Sequence, residues 1–200
     1  MSEEQIIQKL IASRTLINSK ALRNADINDS DMIKIAEACE KISSYNFHII
    51  TRKSTIQAIE VEARRLKNRG KLDLLVIDYL QLVKNAGKFN SREQEVADIS
   101  RTLKLLSLDL KIPIIALCQL NRNASRLQPT LADIRESGAV EQDADNVIFI
   151  YYENESDAKD GLVTLDLQKQ RAGNIGQVKV RFQKAFSRFV NIGRKRWKIR

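Results

Sequence analysis

The run Leu72-Asp73-Leu74-Leu75-Val76-Ile77, closed by Asp78, limits the fold more than any other feature of this chain. Its hydrophobicity is nearly continuous, where a strand with one wet face would alternate. Continuous apolar strands are covered on both faces, which is the habit of parallel sheets in α/β proteins. Ile112 to Leu117 reads as a second strand of this kind, and Val147 to Tyr152 as a third. Between the first two, Ser91 to Gln94 has the form of a capping box. It opens a long helix with Val96, Ile99, Leu103, Leu106 and Leu110 at steps of three and four.

The N-terminal third reads as helical. From Glu3 to Ile17 the residues Ile6, Ile7, Leu10 and Ile11 follow a helical period. A second helix is expected from Ser30, capped by that residue, with Met32, Ile35, Cys39 and Ile42 as its buried stripe. Phe47 to Thr51 reads as a short strand. Ser54 or Thr55 then starts a helix carrying Ile56, Ile59, Ala63 and Leu66, with a basic end closing at Gly70. Beyond Gly161 the pattern changes. Val163, Leu165 and Leu167 alternate with Thr164, Asp166 and Gln168, and Val178, Val180 and Phe182 alternate with Lys179 and Arg181. These segments read as antiparallel strands with one wet face. The expected fold class is therefore α/β, a largely parallel sheet with flanking helices and antiparallel C-terminal strands.

Charge is distributed unevenly. The net charge is +9, yet residues 171–200 hold ten Lys and Arg and no Asp or Glu. A basic stretch of this kind attracts anions, nucleic-acid phosphate above all. Its end, Arg194-Lys195-Arg196-Trp197-Lys198-Ile199-Arg200, reads equally as a solvated tail, so residues 1–192 are taken as the domain and 193–200 as a basic tail. No apolar run approaches the ~18 residues of a membrane span, and Met1-Ser2-Glu3-Glu4 is acidic where a secretory signal would be basic. Cys39 and Cys118 are far apart in apolar patterns, as reduced core thiols of a cytoplasmic protein would be. One His and two separated Cys cannot build a zinc site.

Two elements carry chemistry. Open α/β sheets bind ligands beyond the carboxyl ends of their strands. Asp78 is a carboxylate at such an end, after four hydrophobic residues, the shape of a Walker B element whose Asp holds a nucleotide's magnesium, usually through water. Ile114-Ile115-Ala116-Leu117-Cys118-Gln119-Leu120-Asn121-Arg122 ends a second strand with Gln119 at the same edge. A Gln there can bond a terminal phosphate or position water. Each element alone is also compatible with a purely structural role, a capped strand end or a polar turn.

Together, with the tract Asp78-Tyr79-Leu80-Gln81-Leu82, they make a pattern that resembles the C-terminal motor domain of DnaB-type replicative DNA helicases, a RecA-like fold. The resemblance runs from Met1 to about Ile192. It is also carried by Leu131-Ala132-Asp133-Ile134-Arg135-Glu136-Ser137-Gly138 and Glu141-Gln142-Asp143-Ala144-Asp145. It implies Asp78 as the Walker B magnesium carboxylate and Gln119 as the phosphate sensor. The loop of Arg135, Glu136 and Gly138 is similar to the family's DNA-binding loop, which grips the phosphates of one strand without reading bases. Lys169-Gln170-Arg171-Ala172-Gly173 resembles the finger segment, with Arg171 reaching a neighbouring subunit's nucleotide and Lys169 beside it. The planar, permanently charged guanidinium suits phosphate oxygens. The implied cofactors are ATP and Mg2+. The implied partners are single-stranded DNA, like subunits in a hexamer and other replication proteins.

One departure from the family stands out. A P-loop needs G-x-x-x-x-G-K-S/T to cradle phosphates, and these 200 residues hold none. Gly70-Lys71 runs into Leu72, and Gly87-Lys88 into Phe89. In the resemblance Met1 falls at the end of a Ser-Leu-Glu-Met tract just beyond the P-loop. The expectation is a motor domain lacking the first P-loop strand and helix, inactive on its own. The rivals are a RecA-type recombinase or other RecA-fold ATPase, and a non-catalytic DNA-binding or subunit-binding module.

Overall fold

A computed structural model describes residues 2–51, 55–120, 128–134, 138–193 and 198–199. The helices are α1 (Glu3–Thr15), α2 (Ser19–Asn24), α3 (Asp29–Ser43), α4 (Ile56–Asn68), α5 (Arg92–Leu110), α6 (Gly138–Asp143) and α7 (Glu155–Asp160). The strands are β1 (Leu75–Ile77), β2 (Ile114–Ala116), β3 (Asn146–Tyr151), β4 (Leu162–Gln170), β5 (Gly176–Gln183), β6 (Arg188–Asn191) and β7 (Lys198–Ile199). β1 and β2 pair in parallel, with Leu75 opposite Ile114 and Ile77 opposite Ala116. The other sheet runs in the order β3-β4-β5-β6, with β7 also against β5. Its β5 pairs antiparallel with both β6 and β7. The α/β class expected from the sequence is what is found.

The chain divides into two compact units, one of residues 1–51, 152–165 and 178–197, the other of residues 52–151, 166–177 and 198–200. In the second unit α5 is the spine. Ser91 Oγ caps it by accepting the Gln94 amide, while the Gln94 side chain accepts the Asn90 amide, one residue earlier than a capping box would have it. The α5 residues Val96, Ile99 and Leu103 pack with Ile56, Ile77, Leu80 and Val83. Leu106 and Leu110 pack with Ala63, Leu66, Leu72 and Ile112. The predicted α5 stripe is buried as drawn. Thr55 Oγ1 caps α4 by accepting the Ala58 amide; Ser54, the other expected cap, lies outside the described residues.

The double-sided burial expected of β1 and β2 is not observed. Leu75 and Ile77 face the core, while Leu74, Val76, Ile115 and Leu117 are exposed, because nothing among the described residues covers that face. β3 likewise joins β4 rather than the parallel pair, and its Ile148 and Ile150 are exposed.

In the first unit α1 begins with a full capping box, Ser2 Oγ accepting the Gln5 amide and the Gln5 side chain accepting the Ser2 amide. Three local expectations fail here. α3 is capped by Asn28, whose Oδ1 accepts the Asp31 amide, and Ser30 only donates to that same oxygen. The buried residue of α3 is Ala38, whereas Met32 and Cys39 are exposed, so Cys39 is no core thiol. Phe47 to Thr51 forms no strand, since a ladder needs a partner and none pairs with it among the described residues. Gly161 ends α7 at φ 69°, and a Cβ there would meet the Phe182 carbonyl oxygen at 2.5 Å. Only glycine combines that left-handed backbone with so close an approach.

Candidate functional site

The parallel register sets Asp78 and the Leu117–Gln119 segment at the same carboxyl edge. Two backbone bonds extend the pairing past the strands: the Leu117 amide donates to Ile77 O at 2.9 Å, and the Leu80 amide to Leu117 O at 2.8 Å. Leu80–Leu82 then forms a 3-10 turn anchored by Leu80, which is fully buried. Asp78 itself is exposed, and its carboxylate meets no donor among the described residues.

The Gln81 side chain reaches across to the second strand's end. Its Nε2 donates to Gln119 O at 3.2 Å and to Cys118 Sγ at 3.0 Å, and its Oε1 accepts the Gln119 amide at 3.1 Å. The far side of the tract is held by α5. Arg92 Nη2 donates to Gln81 O at 2.9 Å and to Val83 O at 3.0 Å, and Arg92 Nη1 donates to Glu95. Glu95 also accepts the Asn85 amide at 2.7 Å. The Asn85 bond first, and the Arg92 bond second, hold the Glu95 carboxyl below its ordinary value.

Gln119 is exposed, and its successor Leu120 forms an isolated antiparallel bridge with Ile134. The sensor candidate thus leads into the residue just before position 135. At the start of that segment Thr130 is fixed by Asp133 Oδ2, which accepts both its amide and its hydroxyl. Of the predicted DNA-binding residues, Arg135 and Glu136 lie outside the described residues. Gly138 is exposed at the first position of α6, with open space where a Cβ would stand.

Lys169 and Arg171 lie at the end of β4. Lys169 Nζ donates to the carbonyls of Glu141 and Gln142, closing the C-terminal end of α6. The Arg171 amide donates to Asp145 O at 2.9 Å, and its guanidinium donates to Asp145 Oδ1 at 3.1 Å. Asp145 Oδ2 takes a second cation, Lys104 of α5, at 2.5 Å. Lys104 first and Arg171 second hold the Asp145 carboxyl below its ordinary value. The Arg171 side chain remains 71 % exposed, so its outer nitrogens are open to a ligand.

Sequence reasoning missed Gln81, Asp145 and Lys104 as partners of the named residues, although the first two stand inside the quoted tracts. It also misread Thr164 and Asp166, expected on a wet face and both fully buried. Thr164 donates to Glu153 at 2.9 Å. Asp166 Oδ2 accepts from Gln128 at 3.2 Å and Gln168 at 3.1 Å. Burial of polar groups is tolerable where such partners exist.

Residues 1–191 match the family model of the DnaB-like helicase C-terminal domain. The chain is 37% identical over 203 residues to the replicative DNA helicase DnaB of Geobacillus stearothermophilus, covering 98% of this chain and 45% of that protein. It is 40% identical over 202 residues to the DnaB of Buchnera aphidicola subsp. Baizongia pistaciae, covering 96% and 43% respectively. The chain thus spans less than half the length of these relatives. Among solved structures, one of an ATPase domain superposes with a TM-score of 0.89 at 32% identity, covering 96% of this chain and 72% of that one. A DnaB-like replicative helicase studied with primase gives the same TM-score and identity, with 49% of that chain covered.

Proposed function

The chain belongs to the DnaB-like helicase C-terminal domain family, and we propose that it supplies the motor part of an ATP-driven replicative DNA helicase. The observation that carries this reading is the parallel β1–β2 pair. It sets a carboxylate, Asp78, and an amide, Gln119, at one carboxyl edge, with the chain between them fixed by backbone bonds. The family membership favours a helicase over a RecA-type recombinase.

In this reading Asp78 holds magnesium through water. A lone exposed carboxylate suits that ion, which keeps most of its waters and takes its other ligands from phosphates. No cluster of three potential metal ligands occurs among the described residues, so a protein-only cage does not compete. The residues present fit the metal and lack the glycine cradle for the phosphates. Magnesium ATP, when bound, supplies the phosphoryl-transfer chemistry. Gln119 would bond the terminal phosphate or orient the attacking water. The Leu120–Ile134 bridge ties that strand end to the residue preceding Arg135, and Arg135, Glu136 and Gly138 would grip the phosphates of single-stranded DNA. Arg171, presented by Asp145, projects toward the nucleotide of a neighbouring subunit in a hexamer, with Lys169 fixing the turn beside it. An arginine finger of this kind contributes ~10³–10⁵ in rate. The helicase acts in the cytoplasm with other replication proteins.

The 200 residues alone bind ATP feebly and do not hydrolyse it, because the phosphate cradle is absent. The test is ATP turnover with single-stranded DNA, on this chain and on the full translated product of its gene. Turnover only in the longer product, abolished by Asp78→Ala, supports the reading. Silence in both favours a second reading, a non-catalytic binding module, which the missing P-loop motif recommends. In that case affinity for single-stranded DNA falls with salt at a log–log slope of about −0.7 per neutralised phosphate.

A further inference from the structure

Gln81 makes a contact that the roles assigned so far do not use. Its side-chain amide donates to Gln119 O and accepts from the Gln119 amide, so both polar groups of one residue's backbone are satisfied by one side chain. The geometry has a local cause. The β1–β2 ladder ends at Ile77 and Ala116, and the first strand then turns aside into Leu80–Leu82. Its backbone can no longer reach Gln119. A glutamine side chain carries the same donor and acceptor as a peptide unit, at the end of a two-methylene stem. We propose that Gln81 is a positioning residue that replaces the missing rung of the ladder and fixes the backbone of the phosphate sensor Gln119.

Residue chemistry makes the requirement narrow. Glu at this position keeps an acceptor for the Gln119 amide and loses the donor for its carbonyl. Leu keeps the bulk and loses both. Arg92 of α5 donates to the Gln81 carbonyl, so the clamp is seated on α5 rather than on a free loop. Gln119 itself is exposed and without a core side chain of its own. Its placement rests on Gln81 and on the Leu120–Ile134 bridge that follows. The sensor role rests on the proposed function above; the clamp does not.

The experiment therefore has two arms. In this chain, amide hydrogen exchange at Gln119 is compared for the natural sequence, Gln81→Leu and Gln81→Glu. Gln81→Leu accelerates that amide about tenfold, the loss of one hydrogen bond of ~1.4 kcal/mol. Gln81→Glu leaves it nearly protected, because the acceptor survives. The amides of Ile99 and Leu103 in the core stay unchanged in both variants. An unchanged Gln119 amide in Gln81→Leu, or equal acceleration at Gln119, Ile99 and Leu103, overturns the clamp. In the full gene product, Gln81→Leu lowers kcat for ATP at least tenfold and leaves KM within twofold, since Gln81 holds the sensor and not the nucleotide; Gln81→Glu falls between. Faster exchange with unaltered kcat overturns the positioning role while leaving the helicase reading intact. No turnover in the natural gene product defeats the helicase reading and the sensor role together, and the exchange arm still decides whether the clamp exists.

Discussion

The tract from Asp78 to Leu82 and the turn from Lys169 to Arg171 are both fixed by partners distant in sequence, but by different forces. The first is tied mainly by backbone bonds, a neutral side-chain amide and the buried Leu80, with Arg92 donating to the carbonyls of Gln81 and Val83. The second hangs largely on charge, with Arg171 and Lys104 sharing Asp145 at a surface where that carboxylate is 48 % exposed. Neutral bonds to backbone are short-ranged and indifferent to salt. Exposed ion pairs are weak and screened within a Debye length of about 8 Å at physiological salt. The proposed roles match this difference: a phosphate sensor would need accurate placement, and an arginine finger would have to leave its resting partner for a phosphate.

Removing the buried anchor tests the comparison most severely. Leu80→Ala is expected to cost about 2–5 kcal/mol in denaturant unfolding, as for other fully buried leucines. No single change at Lys169 or Arg171 approaches that loss. Arg92→Met is expected to cost about 1.5–3 kcal/mol, since it removes charge-assisted bonds to two carbonyls. Raised salt leaves the cost of Leu80→Ala unchanged. Asp145→Asn is expected to cost at most about 1 kcal/mol, and the difference from the natural chain shrinks in high salt. A salt-independent cost above that would place Asp145 among the structural residues and erase the contrast. The smallest effect is that of pH. The Asp145 carboxyl titrates below its ordinary value of 3.8 because Lys104 and Arg171 favour its charged form. Its contribution is therefore present above that ordinary value and is lost as pH falls through the lowered one. A stability profile from pH 7 down to pH 2 shows this as part of a shallow acid limb that is reduced, not abolished, in Asp145→Asn, since the Glu95 carboxyl is also held below its ordinary value.

The same division shows in what the sequence reveals. Asp78, Gln119 and the α5 stripe are legible because strand ends and helical periods are written in neighbouring residues. Gln81 and Asp145 are visible as letters, but their partners stand 38 and 26 residues away, at Gln119 and Arg171. The misreadings have the same root. Thr164 and Asp166 look like a wet face until Glu153, Gln128 and Gln168 are brought to them by the fold. On α3 the expected stripe is shifted by the packing around it. Ala38 is buried, Ile35 and Ile42 of the expected stripe are half-buried, and Met32 and Cys39 are exposed.

α5 touches both regions. Arg92, at its start, holds the carbonyls of Gln81 and Val83, and Lys104 holds Asp145 beside the Arg171 turn. The two side chains depart from points roughly 18 Å apart along the axis, at about 1.5 Å per residue. Val96, Ile99 and Leu103 fasten the span between them to the core. Mechanically this is a strut with a fitting at each end, and a strut carries load lengthwise without bending to absorb it. A variant that softens the middle of α5 is therefore expected to loosen both fittings at once, at two places it never touches.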